Sequence, residues 1–130
     1  MPYQHDPRPT FDARMAIHCA LTGVLAWLGF VLILPGRTFG TSPAWRMFEM
    51  IASEDQWAIM LWVGAIAGAV GIDTRHRWLK IASILLLSTA HGTLALLFLI
   101  GSPAGGASGT FAIVALLGYY LSWRQVHWRS

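Results

Sequence analysis

Residues 15–35, 56–72, 78–100 and 106–123 are four apolar runs of 17 to 23 residues, and Lys80 is the one charged side chain among them. About 20 such residues are needed to cross the hydrocarbon of a bilayer. In lipid a segment must satisfy its own backbone polar groups, which selects helices. The runs take up 79 of the 130 residues, so no soluble domain fits beside them. Composition agrees: 55% of residues are hydrophobic and 12% are charged, against about 25% charged in soluble domains. The fold expected is an all-α integral membrane protein, a bundle of four transmembrane helices.

Local signals mark the ends of the runs. Pro35-Gly36 closes the first and Asp73-Thr74 the second, while a Gly/Ser/Pro/Ala turn over 101–106 joins the third to the fourth. Pro2, Pro7 and Pro9 mark residues 1–14 as a flexible tail ahead of a transmembrane domain over 15–130. The first run exceeds the 7–15 apolar residues of a typical signal peptide, so it is read as a retained helix. The longest connection, 36–55, contains Ser42-Pro43, a hydroxyl cap followed by proline at the first helical position. Trp45, Phe48 and Ile51 then recur every third residue. This pattern predicts a short interfacial amphipathic helix over about 42–53, its apolar face on the membrane surface.

Four spans place both termini and the 74–80 loop on one side. That side holds Arg8, Arg14, Arg75, Arg77, Lys80, Arg124 and Arg129, and the other only Arg37 and Arg46. Seven against two predicts N-in, C-in. Trp45, Phe48, Trp57, Trp78 and Trp123 lie at or near run ends and are expected to be interfacial anchors. Trp27 and Trp62 fall within runs and are expected to pack. Tyr119 and Tyr120 are read as further interfacial aromatics, and Cys19 as an apolar core residue.

Chemistry-bearing residues are few. Gly64, Gly68 and Gly71 follow a GxxxG-like spacing that lets helix backbones approach, either within one bundle or between copies. Runs one and three each carry one histidine, His18 and His91. His91 is near the centre of its run; with Ser88, Thr89 and Thr93 it forms a candidate functional polar face. A haem shared by the two histidines is disfavoured, because their depths differ by roughly 13 Å at 1.5 Å per residue. Catalytic triads, paired carboxylates, phosphate loops and metal-binding cysteine pairs have no candidates, so no enzyme activity and no cofactor is expected. The net charge of +3 is spread between the runs without a nucleic-acid motif.

The segments SPAWRMFEMIASEDQWAIMLWVGAIAGAVGI, RHRWLKIASILLLSTAHGTLALLFLIGSP and GTFAIVALLGYYLSWRQV together resemble small multi-span phage and prophage membrane proteins of the holin-like kind. A tryptophan opens one helix, a basic RW segment the next, and an aromatic–arginine tail closes the last. The resemblance covers about residues 42–126 and implies membrane insertion connected with phage infection or lysis, without an active site. Small multidrug transporters share the length and helix number, but they use a glutamate in the first span, which this chain lacks. The function expected is therefore that of a small non-enzymatic membrane protein acting through helix packing or oligomerisation. The alternative is an accessory subunit of a redox or transport complex, or a small channel or transporter using the face around His91. The partners expected are the lipid bilayer and either further copies or membrane-complex subunits, with no nucleic acid. A bacterial inner membrane or a phage-associated membrane is the location expected.

Overall fold

The computed structural model describes residues 12–36, 38–103 and 105–127. Most of the tail expected over 1–14, together with Arg8, Arg37 and Arg129, lies outside the described residues. All regular structure among the described residues is helical: α1 (Ala13–Ile33), α2 (Arg46–Ile51), α3 (Glu54–Asp73), α4 (Arg77–Gly101) and α5 (Ala107–His127), with 3-10 turns at Phe39–Thr41 and Pro43–Trp45. Three of these, α1, α3 and α4, are long and apolar enough to cross a membrane. The fourth apolar run forms α5, whose 21 residues include glycine, serine, threonine, tyrosine and Arg124.

The helix starts follow from side-chain caps. The Asp12 carboxylate accepts from the Arg14 N–H at 3.1 Å, and Ser42 accepts from the Ala44 N–H at 3.3 Å with Pro43 at the first position. At α3, Ser53 and Gln56 exchange bonds with each other's backbone N–H groups at 3.3 and 3.0 Å, a capping box that satisfies two donors otherwise left open. After α1, Gly36 adopts φ +141°, a conformation that side-chain-bearing residues rarely take.

Each long helix buries one stripe. On α1 it is His18, Leu21, Leu25, Gly29 and Leu32, spaced at three and four residues, the spacing of a helix that packs along one face. The broadest stripe belongs to α4, from Ile81 to Phe98, because α4 packs on both α3 and α5. Close approaches fix the directions. Gly64, Gly68 and Gly71 of α3 meet Leu25, Thr22 and His18 of α1, so the two helices are antiparallel. Gly68 and Gly71 also meet Leu87 and Ser83 of α4, and Gly118 of α5 meets Ser88 of α4. The four long helices thus run up, down, up, down.

The 38–53 segment departs from the sequence expectation. Its helix is broken into a 3-10 turn and the six-residue α2, and Phe48 points into the protein with 1% exposure. Trp45 is half-buried, and Ile51, expected on the same apolar face, is exposed. The cause is an aromatic cluster over one end of the bundle. Phe48 lies 4.8 Å from Phe98, 5.1 Å from Trp57 and 5.2 Å from Trp45, ring centre to ring centre. Phe39 stacks on Trp45 at 5.6 Å, and Phe111 on Phe98 at 5.4 Å. Rings with such contacts inside the protein gain more than rings laid on a surface. Glu54 ties the segment down by accepting from the Thr38 and Phe39 N–H groups, and Gly101 passes under the Ala44 carbonyl.

The glycine contacts predict a sharp positional dependence. Gly68→Val and Gly71→Val drive a side chain into Thr22 and Ser83 respectively and should cost about 1–3 kcal/mol each. Gly23→Ala on α1, with open space around it, should leave stability unchanged or raise it. Thermal unfolding in detergent compares the three; equal losses at all of them would show that the helices do not pack as described.

Candidate functional site: a buried polar line along helix α4

Ser83, Ser88 and His91 face the interior from α4, each under 10% exposed. Near the α4 N-terminus, the Ser83 hydroxyl donates to the Ala67 carbonyl of α3 at 3.1 Å. Its oxygen is thus free to accept from His18 Nε2–H of α1, 3.2 Å away. Three helices are joined through one hydroxyl. Thr22 adds a bond to the His18 carbonyl at 2.9 Å. Deeper along α4, Ser88 donates to its own helix at Ile84 O, 2.7 Å, and Ser122 of α5 does the same at Gly118 O, 3.0 Å. These hydroxyls satisfy themselves locally, which allows Gly118 to close on Ser88.

His91 is fully buried. Its Nδ1 lies 2.7 Å from the Leu87 carbonyl. A carbonyl only accepts, so Nδ1 carries the proton and Nε2 presents a lone pair. That Nε2 is the one buried side-chain nitrogen or oxygen without a hydrogen-bond partner among the described residues. Phe111 stands beside the ring at 6.0 Å and connects it to the aromatic cluster. A buried acceptor left open is costly, by about 1–3 kcal/mol.

The polar face expected from sequence divides in two. Ser88 and His91 point inward, whereas Thr89 and Thr93 are exposed on the outer side of α4, because each step along a helix turns by 100°. Thr89 instead shares a hydrogen bond with Tyr119 of α5 at 2.9 Å, and Thr93 donates to the Thr89 carbonyl at 2.9 Å. His18 is level with Ser83, eight residues before His91, so the two imidazoles differ in depth by roughly 12 Å and do not face one iron. No group of three metal-binding side chains occurs among the described residues.

The packing glycines all face inward: Gly64 toward α1, and Gly68 and Gly71 toward both α1 and α4. Of the expected anchors, Trp78 and Trp123 stand exposed at the end where α4 begins and α5 finishes. Trp57 and Phe48 do not serve as surface anchors. Both are buried, and Trp57 donates its indole N–H to the Phe48 carbonyl at 2.9 Å. Trp27, expected to pack, is 64% exposed beside Phe30, and Cys19, expected in the core, is exposed. Both follow from the narrow buried stripe of α1, which passes through His18, Leu21 and Leu25 and leaves positions 19 and 27 outside it.

Sequence reasoning missed the aromatic cluster and the role of Ser83. Phe39, Trp45 and Phe48 lie in the 36–55 connection, and Trp57, Phe98 and Phe111 lie within six residues of the run ends that the expected four-span layout brings to the same side; that coincidence was the available signal. At the opposite end Arg77 of α4 reaches the last carbonyls of α5, at Gln125 and Val126. A cation there offsets the negative end of the helix dipole.

Compared with known protein families, curated proteins and solved structures, the chain matches none. What the fold defines is an all-helical bundle in which three helices are long and apolar enough to be membrane spans.

The two histidines should respond oppositely to removal of their polar contacts. Ser83→Ala breaks two interhelical bonds and strands His18, and should lower stability by about 1 kcal/mol, since such bonds in membranes average about 0.6 kcal/mol. His91→Leu removes an unpaired acceptor and gives up only a bond within its own helix. It should be neutral or stabilising. Denaturation of the two variants beside the parent protein measures both.

Proposed function

We propose that this chain is a non-enzymatic integral membrane protein of four spans, α5 being the fourth, that acts through helix packing in a bacterial inner membrane or a phage-associated one. The observation that carries this reading is the distribution of polarity. The outward faces of all four long helices present large apolar side chains, among them Phe30, Ile66, Val70, Leu96, Ile113 and Leu116. Five polar side chains, His18, Ser83, Ser88, His91 and Ser122, are inside, while the outward Thr89 and Thr93 hydroxyls bond to Tyr119 and to their own helix. A surface of that kind suits lipid and not water. The charge bias gives the orientation, with Arg75, Arg77, Lys80 and Arg124 at the cytoplasmic end.

Because the packing glycines are engaged within the bundle, any contact with another protein would use aliphatic and aromatic side chains on the outer faces. This favours a self-contained bundle that joins other membrane proteins over one that opens holin-like lesions through glycine seams. A second reading, a subunit or small transporter working through a buried histidine, is favoured by one observation: His91 Nε2 is buried and open.

Topology reporters test the span number. Alkaline phosphatase fused after residue 103 should be active, and the same enzyme fused to the C-terminus should be inactive. Activity at both positions would remove α5 from the spans. Induced expression should leave host cells intact; prompt lysis would restore the holin-like reading. Complete loss of partner-complex function in a folded His91→Leu protein would move the second reading ahead of the first.

A further inference from the structure

His91 stands ten residues before the end of α4, roughly 15 Å from it, with 0% of its surface exposed. Nδ1–H is committed to the Leu87 carbonyl at 2.7 Å, and Nε2 has no partner among the described residues. The charged and titratable groups of every helix packed around it lie elsewhere. On α1 they are Arg14, His18 and Cys19, all toward its start, with Asp12 as the cap. His18 is held at Ser83, eight residues before His91. On α3, Glu54 and Asp55 are in the first turn and Asp73 is at the end, with none between. Glu54 is engaged by the Thr38 and Phe39 N–H groups, and both aspartates are exposed. On α2, Arg46 and Glu49 are exposed. On α5, Tyr119 and Tyr120 are exposed, and Arg124 and His127 belong to the last turn. Arg77 and Lys80 of α4 itself are in its first turn. No opposite charge faces Nε2.

A proton on Nε2 would turn the ring into a cation whose new N–H meets no acceptor. Its ring neighbour, Phe111 at 6.0 Å, is apolar. A buried charge without a partner is far costlier than an open acceptor, so a protonated ring is driven toward water. The packing of α4 on α5 sets the way out. Toward the start of α4 the seam is tight, since a methyl group on Gly118 would overlap Ser88. Beyond it, the Ser83 hydroxyl ties three helices together. Toward the end of α4 the seam is looser. A methyl group on Gly92 would meet Ala115 at 3.8 Å, an ordinary contact, and Phe111 is only half-buried.

From this geometry we propose that His91 is an acid-sensitive latch on the end of the bundle that carries the aromatic cluster. A proton taken from solvent at Nε2 moves the imidazole out past Phe111 and parts the last turns of α4 from the first turns of α5. It thereby loosens the 38–53 segment, whose Trp45 and Phe48 rest on Phe98. Loss of the proton lets the ring return. The opposite end stays closed through Ser83 and the Arg77 bonds to α5. The sign follows from counting protons. An unfolded chain binds a proton on its imidazole near the ordinary value of about 6.5, whereas the closed bundle offers that proton no acceptor. The opened and unfolded states therefore bind more protons, so closure is favoured above about pH 6.5 and is lost progressively below it. The latch works whether or not α5 crosses a membrane, so it stands apart from the reading above.

The full-length protein in detergent, taken from about pH 8 to about pH 5 across the imidazole range, tests the latch. Hydrogen exchange read by mass spectrometry, corrected for the intrinsic effect of pH, should quicken at acid pH over 38–53 and 105–115 and stay unchanged over 77–88 and 118–127. His91→Leu and His91→Gln place a side chain that does not titrate at this point. Both should keep exchange over 38–53 and 105–115 at its level at high pH. In denaturation, the folded-to-unfolded ratio of the parent should fall relative to either variant by up to about tenfold for each pH unit below about 6.5. His5, His18, His76 and His127 are common to all three proteins and cancel in that comparison. The same pH dependence in parent and variants would overturn the inference. So would acid-quickened exchange spread evenly along α4, or none in the parent. The exchange pattern of the parent alone decides the matter if a variant fails to fold.

Discussion

Gly68 and Gly71 put the backbone of α3 where side chains would otherwise stand, against Thr22 and His18 of α1 and Ser83 of α4. Apolar side chains gain little by leaving lipid for a protein interior, so helices that pack there depend on close approach and interhelical hydrogen bonds. Both are concentrated at this point. The Ser83 hydroxyl donates to Ala67 O, one turn before Gly71, and accepts from His18. With a side chain at residue 71 the hydroxyl could not remain in that position, and the α1–α3–α4 contact would open where its polar groups are least able to find other partners.

The two ends of the bundle are closed by different means. At one end the rings of Phe39, Trp45, Phe48, Trp57, Phe98 and Phe111 interlock beneath the 38–53 segment. At the other, the short link from α3 to α4 and the Arg77 bonds to the end of α5 hold the helices. His91 lies on the inner border of the aromatic cluster, next to Phe111, and is the point where the polar line along α4 ends. An open acceptor at that border is stabilised by nothing in its surroundings. It is the feature of the interior that packing alone does not explain.

A short sequence pattern can be right about where helix forms and wrong about which way it faces. Ser42 and Pro43 start a helical segment as their chemistry predicts. The i, i+3 recurrence of Trp45, Phe48 and Ile51 would suit a membrane surface equally well, because periodicity describes one element and contains no information about what lies beneath it. What lay beneath was Trp57, from the start of the next helix, and Phe98, about fifty residues further along the chain. The same limit applies to Trp57, which stands at a run end as an anchor would, yet bonds inward to the Phe48 carbonyl.

The sequence by itself determined the all-helical fold and where its helices lie. Runs of about twenty apolar residues favour long helices, and proline, glycine and capping side chains placed the helix ends within a few residues of those observed. It also singled out His18, His91 and the three glycines, since each is unusual for its surroundings. The tertiary structure alone decided their partners. His18 bonds to Ser83 and His91 finds no second bond among the described residues; Gly64, Gly68 and Gly71 pack against α1 and α4 of the same chain; Thr89 and Thr93 turn outward. The reason is that a helix is set by contacts within a few residues along the chain, whereas the partner of a side chain depends on how neighbouring helices are rotated about their axes. That rotation is fixed only when all four stripes are packed together.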